Sequence, residues 1–90
     1  MIQSYRIDVY GIVQGVGFRW FTQQTANKYH LVGWVCNNSN GSVEMRVQGQ
    51  EINVNAFIDV INQGPGYYSR VDKVIKQSVA PFESNNFAIK

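Results

Sequence analysis

Two stretches of helical periodicity, each flanked by stretches of alternating apolar and polar residues, predict an α+β sandwich: an antiparallel sheet with two helices on one face. Two observations carry this. The hydrophobic period switches along the chain, and glycine or proline clusters stand where it switches.

Residues 3–10 alternate, with Tyr5, Ile7 and Val9 on one face and Ser4, Arg6, Asp8 and Tyr10 on the other, as in a half-buried strand. Gly11, Gly15 and Gly17 then crowd a short stretch, which requires an unusual backbone path. From Phe18 to Tyr29 the apolar and small residues Phe18, Phe21, Thr22, Thr25, Ala26 and Tyr29 recur at helical spacing. Residues 32–38 read as a second strand, Asn40-Gly41 as a hairpin turn, and Ser42 to Gln48 as a third strand with Val43, Met45 and Val47 on one face.

Glu51 to Asn62 returns to helical spacing, with a stripe of Ile52, Val54, Phe57, Ile58 and Ile61, and Gly64-Pro65-Gly66 stops it. Residues 70–79 form a fourth strand whose buried face is ambiguous. It is either Val71, Lys73, Ile75, Gln77 and Val79, or Asp72, Val74, Lys76 and Ser78. Ala80-Pro81 ends it, and Phe87-Ala88-Ile89 reads as a short terminal strand. The order βαββαβ is the split βαβ arrangement of ferredoxin-like folds.

The 90 residues are expected to form one domain spanning 1–90. A hydrophobic fraction of 44% with a net charge of only +2 excludes a disordered chain. The same small charge favours small anions weakly and gives no ground for a nucleic-acid partner. Cys36 is the single cysteine, so neither an internal disulfide nor a thiolate metal cluster can form, and a reducing compartment fits. The chain opens directly into alternating sequence and carries no long apolar run, so a cytoplasmic protein without a membrane partner is expected.

Gly11 to Arg19 carries the most chemical information. It is not a dinucleotide fingerprint, because Trp20 stands where the third glycine belongs. It is not a P-loop, because Val16-Gly17 stands where Gly-Lys belongs. A glycine-rich turn entering a helix can still aim successive N–H groups, and the positive end of the helix dipole, at one phosphate-sized anion. Arg19, in the first helical turn, is unfavourable to that dipole but has the planar donor fork that suits an oxyanion. The spacing alone leaves two readings open: a tight structural turn with a surface arginine, or a phosphate cradle.

Gly11-Ile12-Val13-Gln14-Gly15-Val16-Gly17-Phe18-Arg19 closely resembles the signature of the acylphosphatase family. A second matching block is Gly33-Trp34-Val35-Cys36-Asn37, continuing to Gly41-Ser42-Val43-Glu44. A third comprises Phe57, Gly64-Pro65, Val71, Phe87 and Ile89. The resemblance covers nearly the whole chain in order. It implies the ferredoxin-like sandwich and hydrolysis of acyl phosphates to a carboxylate and inorganic phosphate, without metal or cofactor. It places the phosphate-binding arginine on Arg19, the essential asparagine on Asn37, and the phosphate cradle on the backbone of Gln14, Gly15, Val16, Gly17, Phe18 and Arg19. Asn38 stands where the family commonly has Thr. The chain also departs from the family at Tyr29-His30, where relatives usually read Leu-Gly, and at Gly17, where relatives carry Cys or another small side chain.

The remaining candidates read as structural. His30 belongs at the far end of the first helix, and Cys36 points to the face opposite Asn37 with nothing adjacent to activate it. Asp8, Glu44, Glu51, Asp59, Asp72 and Glu83 are expected on solvated faces, with no acid pair and no metal cluster. Trp20 and Trp34 are expected to pack or shield the loop. Arg70, Lys73 and Lys76, near Tyr67 and Tyr68, read as a solvated strand rather than an RNA surface. A monomer acting on a small-molecule acyl phosphate is expected. The alternatives are a non-catalytic phosphate-binding module and a nucleic-acid or protein interaction module.

Overall fold

A computed structural model describes residues 1–66 and 68–90; Tyr67 lies outside the described residues. The elements are β1 (Ile2–Ile12), α1 (Phe18–Lys28), β2 (Val32–Asn37), β3 (Val43–Gln50), α2 (Glu51–Gln63), β4 (Arg70–Ser78) and β5 (Phe87–Ile89). They build a five-stranded sheet in the order β4-β1-β3-β2-β5. The expected ferredoxin-like order is present, and each helix joins strands that are not adjacent in the sheet.

The sheet is mixed rather than wholly antiparallel. β1 pairs antiparallel with β3 and β4, and β2 with β3, but β5 runs parallel to β2. The cause is the β4–β5 connection. β4 and β5 lie at opposite edges, so residues 79–86 must cross the sheet, and they deliver the chain to β2 running in the same direction. Gln48 of β3 holds that crossing in place: its Nε2 donates to the Phe82 carbonyl at 2.7 Å and its Oε1 accepts from the Phe82 N–H at 3.0 Å.

One face of the sheet is sealed by the helices. Ile7, Val9, Val35, Val43, Met45 and Val47 meet Phe18 and Ala26 of α1 and Val54, Phe57 and Ile61 of α2, all essentially inaccessible to water. These are the residues the two periodicities select, with one exception. Ile52, counted in the α2 stripe, is 77% exposed, because it sits about half a turn round the helix from Val54 and Ile61 and faces away from the core. The ambiguity of β4 also has a structural cause. The register with β1 shifts between Tyr10 and Gly11, so Tyr10 pairs with Lys73 but Gly11 with Val71. Asp72 is therefore an extra residue, and Val71 and Val74 both pack against the core although three positions separate them. Neither alternation read from the sequence is correct over the whole strand.

The open face is less solvated than expected. Arg6 Nε lies 3.0 Å from Asp8 and its Nη2 3.6 Å from Glu44, and Arg46 approaches Glu44 at 4.0 Å. Asp8 is buried and Glu44 half-buried, so these two acids belong to a charged ladder across β1 and β3 rather than to free surface. Also on this face, Arg70 pairs with Asp72 and Lys73 sits over the ring of Tyr10, whereas Lys76 covers the ring of Tyr5 on the helix side of the sheet.

α1 ends in a Schellman motif: His30 N–H donates to Asn27 O and Leu31 N–H to Ala26 O. His30 therefore occupies the left-handed position, with φ of 59°, that glycine fills best. Its replacement by glycine (His30→Gly) is expected to raise unfolding stability by about 1 kcal/mol. Urea melts of the two proteins check this, and no gain would mean that His30 is held there without strain.

Candidate active site

β1, β2 and β5 all run in the same direction, so their C-terminal ends meet at one end of the sheet. β1 ends at Ile12 and feeds the glycine loop, β2 ends at Asn37, and β5 ends at Ile89 beside the first turn of α1. These ends enclose a cavity of about 200 Å³ lined by Val13, Gly15, Gly17, Phe18, Arg19, Trp20, Asn37 and Ile89. Arg19 and Asn37, separated in sequence by a helix and a strand, thus face one space.

The loop is shaped by left-handed glycines. Gly15 and Gly17 have φ of 75° and 77°, and a Cβ on either would meet no atom within 4 Å. Backbone conformation rather than crowding selects glycine here. Gly17 is the N-cap of α1, and no side chain caps the helix. The first helical N–H groups have no intrahelical acceptor, and none of the turn and loop bonds among the described residues takes an N–H of Gly15 to Arg19 as donor. The first turn carries no acid. A row of unused N–H donors, a helix dipole and a guanidinium therefore converge on a cavity whose lining holds no acidic side chain.

The expected cradle residues separate into two groups. Gly15, Gly17, Phe18 and Arg19 line the cavity. Val16 packs against the core. The Gln14 side chain turns to the β2–β3 turn, where its Nε2 donates to Asn38 O at 2.8 Å and Ser42 O at 2.9 Å. The sequence offered Gln14 only as a backbone donor, and no local pattern could reveal a contact made 24 and 28 residues away.

That turn is also longer than the two-residue hairpin suggested by Asn40-Gly41. Residues 38–42 lie outside the strands, and Asn40 Oδ1 accepts from both the N–H and the hydroxyl of Ser42. Asn37, just before the turn, is exposed, and its side chain makes no hydrogen bond among the described residues. Arg19 Nη1 donates to the main-chain oxygen of Lys90 at 3.3 Å, which anchors one arm of the guanidinium.

Trp20, expected to pack or shield the loop, is not packed: it is 63% exposed and lines the cavity beside the loop. Trp34 lies on the opposite face of the sheet under Arg46 and Lys90. Cys36 shares that face with Glu44, its cross-strand neighbour. Burial, and then the Glu44 charge, push its thiol up from the ordinary value, the reverse of what a nucleophile needs. His30, at the far end of α1, does not line the cavity. Among the described residues, no group of three His, Cys, Asp or Glu side chains could hold a metal ion, and no helix is long and apolar enough to cross a membrane.

Fold and site together define a ferredoxin-like domain whose glycine loop, at the head of its first helix, presents unused N–H donors beside one cavity. A sequence model of acylphosphatases matches residues 5–89, and the chain belongs to the acylphosphatase family. It is 49% identical over 89 residues to an acylphosphatase of Leuconostoc mesenteroides, with 99% of each chain covered. A crystal structure of acylphosphatase from Bacillus subtilis superposes with a TM-score of 0.92 at 38% identity, covering 100% of this chain and 99% of that one. An acylphosphatase from Coxiella burnetii gives 0.94 at 27% identity, covering 99% and 93%.

Two outcomes are expected. Gln14→Leu, which removes both bonds to the turn, should lower stability by about 1–3 kcal/mol in urea unfolding; an unchanged midpoint would show that the clamp is idle. Thiol titration with a chromogenic disulfide should show Cys36 reacting appreciably only above the pH at which a free thiol does, because the raised thiol keeps it protonated longer.

Proposed function

We propose that this acylphosphatase hydrolyses acyl phosphates by direct attack of water on phosphorus. In this reading Arg19 and the main-chain N–H groups of residues 14–19 hold the phosphoryl group, and Asn37 aligns the water. The observation that supports it is the convergence of Arg19, the unused donors of the glycine loop and Asn37 on one cavity with no acidic side chain in its lining.

The chemistry asks little of the protein. The leaving group is a carboxylate, so departure needs no strong acid, and phosphoryl transfer proceeds largely by positioning and charge stabilisation. Fixed N–H groups and a guanidinium stabilise charge on the non-bridging oxygens without reorienting during the reaction. The bond to Lys90 limits the swing of Arg19, leaving its other N–H groups for the phosphoryl oxygens. Asn37 is a neutral amide and cannot act as a strong base. Its side chain can hold water in line with the scissile bond, and the phosphoryl group itself can take the proton.

Residues 1–90 act in this reading as one domain, a cytoplasmic monomer whose partners are its substrate and product. A phosphate-binding module without activity would need the cradle and Arg19 but gives no use to an unbonded Asn37 at the same cavity.

Arg19→Ala should lower kcat/KM for benzoyl phosphate by about 10³-fold or more and abolish inorganic phosphate binding by calorimetry. Asn37→Ala should lower kcat by at least about a hundredfold and leave phosphate affinity near that of the parent protein. Both rates should be insensitive to EDTA. Normal phosphate binding by the Arg19 variant would break the assignment of roles.

A further inference from the structure

The cavity has two chemically distinct sides. Gly15, Gly17, Arg19 and Asn37 supply polar groups, and Trp20 and Ile89 supply large apolar side chains that the fold leaves 63% and 40% exposed. Neither exposure is required by packing. Trp20 is the third residue of α1, two places after Phe18, and that spacing turns it away from the core in which Phe18 is buried. Long side chains on a helix lean back toward its N-terminus, which sets Trp20 toward the cradle rather than along the helix. Ile89 continues the helix-facing row of β5 after buried Phe87 but lies beyond the core, at the mouth of the cavity. Trp34 carries two cations over its ring, whereas Trp20 has none among the described residues.

We propose that Trp20 and Ile89 form a wall that receives the acyl body of the substrate, so that the enzyme prefers aromatic or bulky apolar acyl phosphates over acetyl-sized ones. This rests on the acyl phosphate reading above. An acyl phosphate presents an anionic phosphoryl end and an apolar acyl body separated only by the bridging oxygen and the carbonyl carbon, which matches a cavity polar on one side and apolar on the other. Contact with the wall removes exposed apolar surface from water. The binding energy so gained comes from a part of the substrate that does not react, and it serves to position the part that does.

The test compares kcat/KM for benzoyl phosphate and acetyl phosphate in the parent protein, Trp20→Ala and Trp20→Phe. The benzoyl-to-acetyl ratio should fall about tenfold in Trp20→Ala and return to within about twofold in Trp20→Phe, on the scale of a lost and regained aromatic contact. A parent ratio near one, or an unchanged ratio in Trp20→Ala, overturns the wall; that includes equal loss on both substrates, as from misfolding. Affinities for benzylphosphonate and methylphosphonate, neither of which can be hydrolysed, give a second readout. The benzyl-to-methyl preference should shrink in Trp20→Ala by the same factor. If the parent protein hydrolyses neither acyl phosphate, the hydrolase reading fails, and the phosphonate preference alone decides whether the wall exists.

Discussion

The side-chain amide of Gln14 bridges two loops that strand pairing leaves unconnected. The glycine loop follows β1, and the β2–β3 turn follows Asn37. Between these strands lies β3, so the two loops come near each other only because they sit at the same end of the sheet. Bonds from Gln14 to Asn38 O and Ser42 O tie them. A phosphate site assembled from a loop donor set and an asparagine on another strand needs both at fixed separation. Errors on the order of 1 Å are enough to cost about a hundredfold in rate.

Around this tie the fold is economical. Three strands end at the site, and the helix that supplies the donors also supplies Phe18 and Ala26 to the core. The loop therefore cannot move without disturbing packing at its downstream end, where Phe18 is buried in the residue after the N-cap Gly17. Its upstream end is held by Val13, which is also buried. Between these fixed points Gly15 and Gly17 adopt left-handed geometry, in which a side chain would be strained. The arrangement leaves the N–H donors of the loop without a bonding partner among the described residues. It explains why an arginine sits in a helical turn that would ordinarily favour an acid.

The sequence made much of this legible because the core lies on one side of the sheet. With one buried face, β1 and β3 alternate cleanly, and the helices show a single stripe. Legibility failed where a local pattern meets a non-local constraint. β4 is an edge strand with a bulge at Asp72, so its alternation changes phase within one strand. The parallel direction of β5 depends on a crossing by residues 79–86 that have no period. Asp8 and Glu44 look like surface acids until the β1–β3 register sets them opposite each other beside Arg6. Arg19 and Asn37 were marked by motif, and the structure brings them to one cavity. The reach of Gln14 across to the turn depends on packing that no window of sequence contains.

The central claim is that the phosphoryl group, not the acyl carbon, sits in the cradle and is attacked. Hydrolysis of benzoyl phosphate in water enriched in oxygen-18 tests it most directly, with the products read by mass spectrometry. Attack on phosphorus places the label in inorganic phosphate and leaves benzoate unlabelled. Label in benzoate would mean that water attacks the carbonyl, and the roles given to Arg19, the loop amides and Asn37 would not stand.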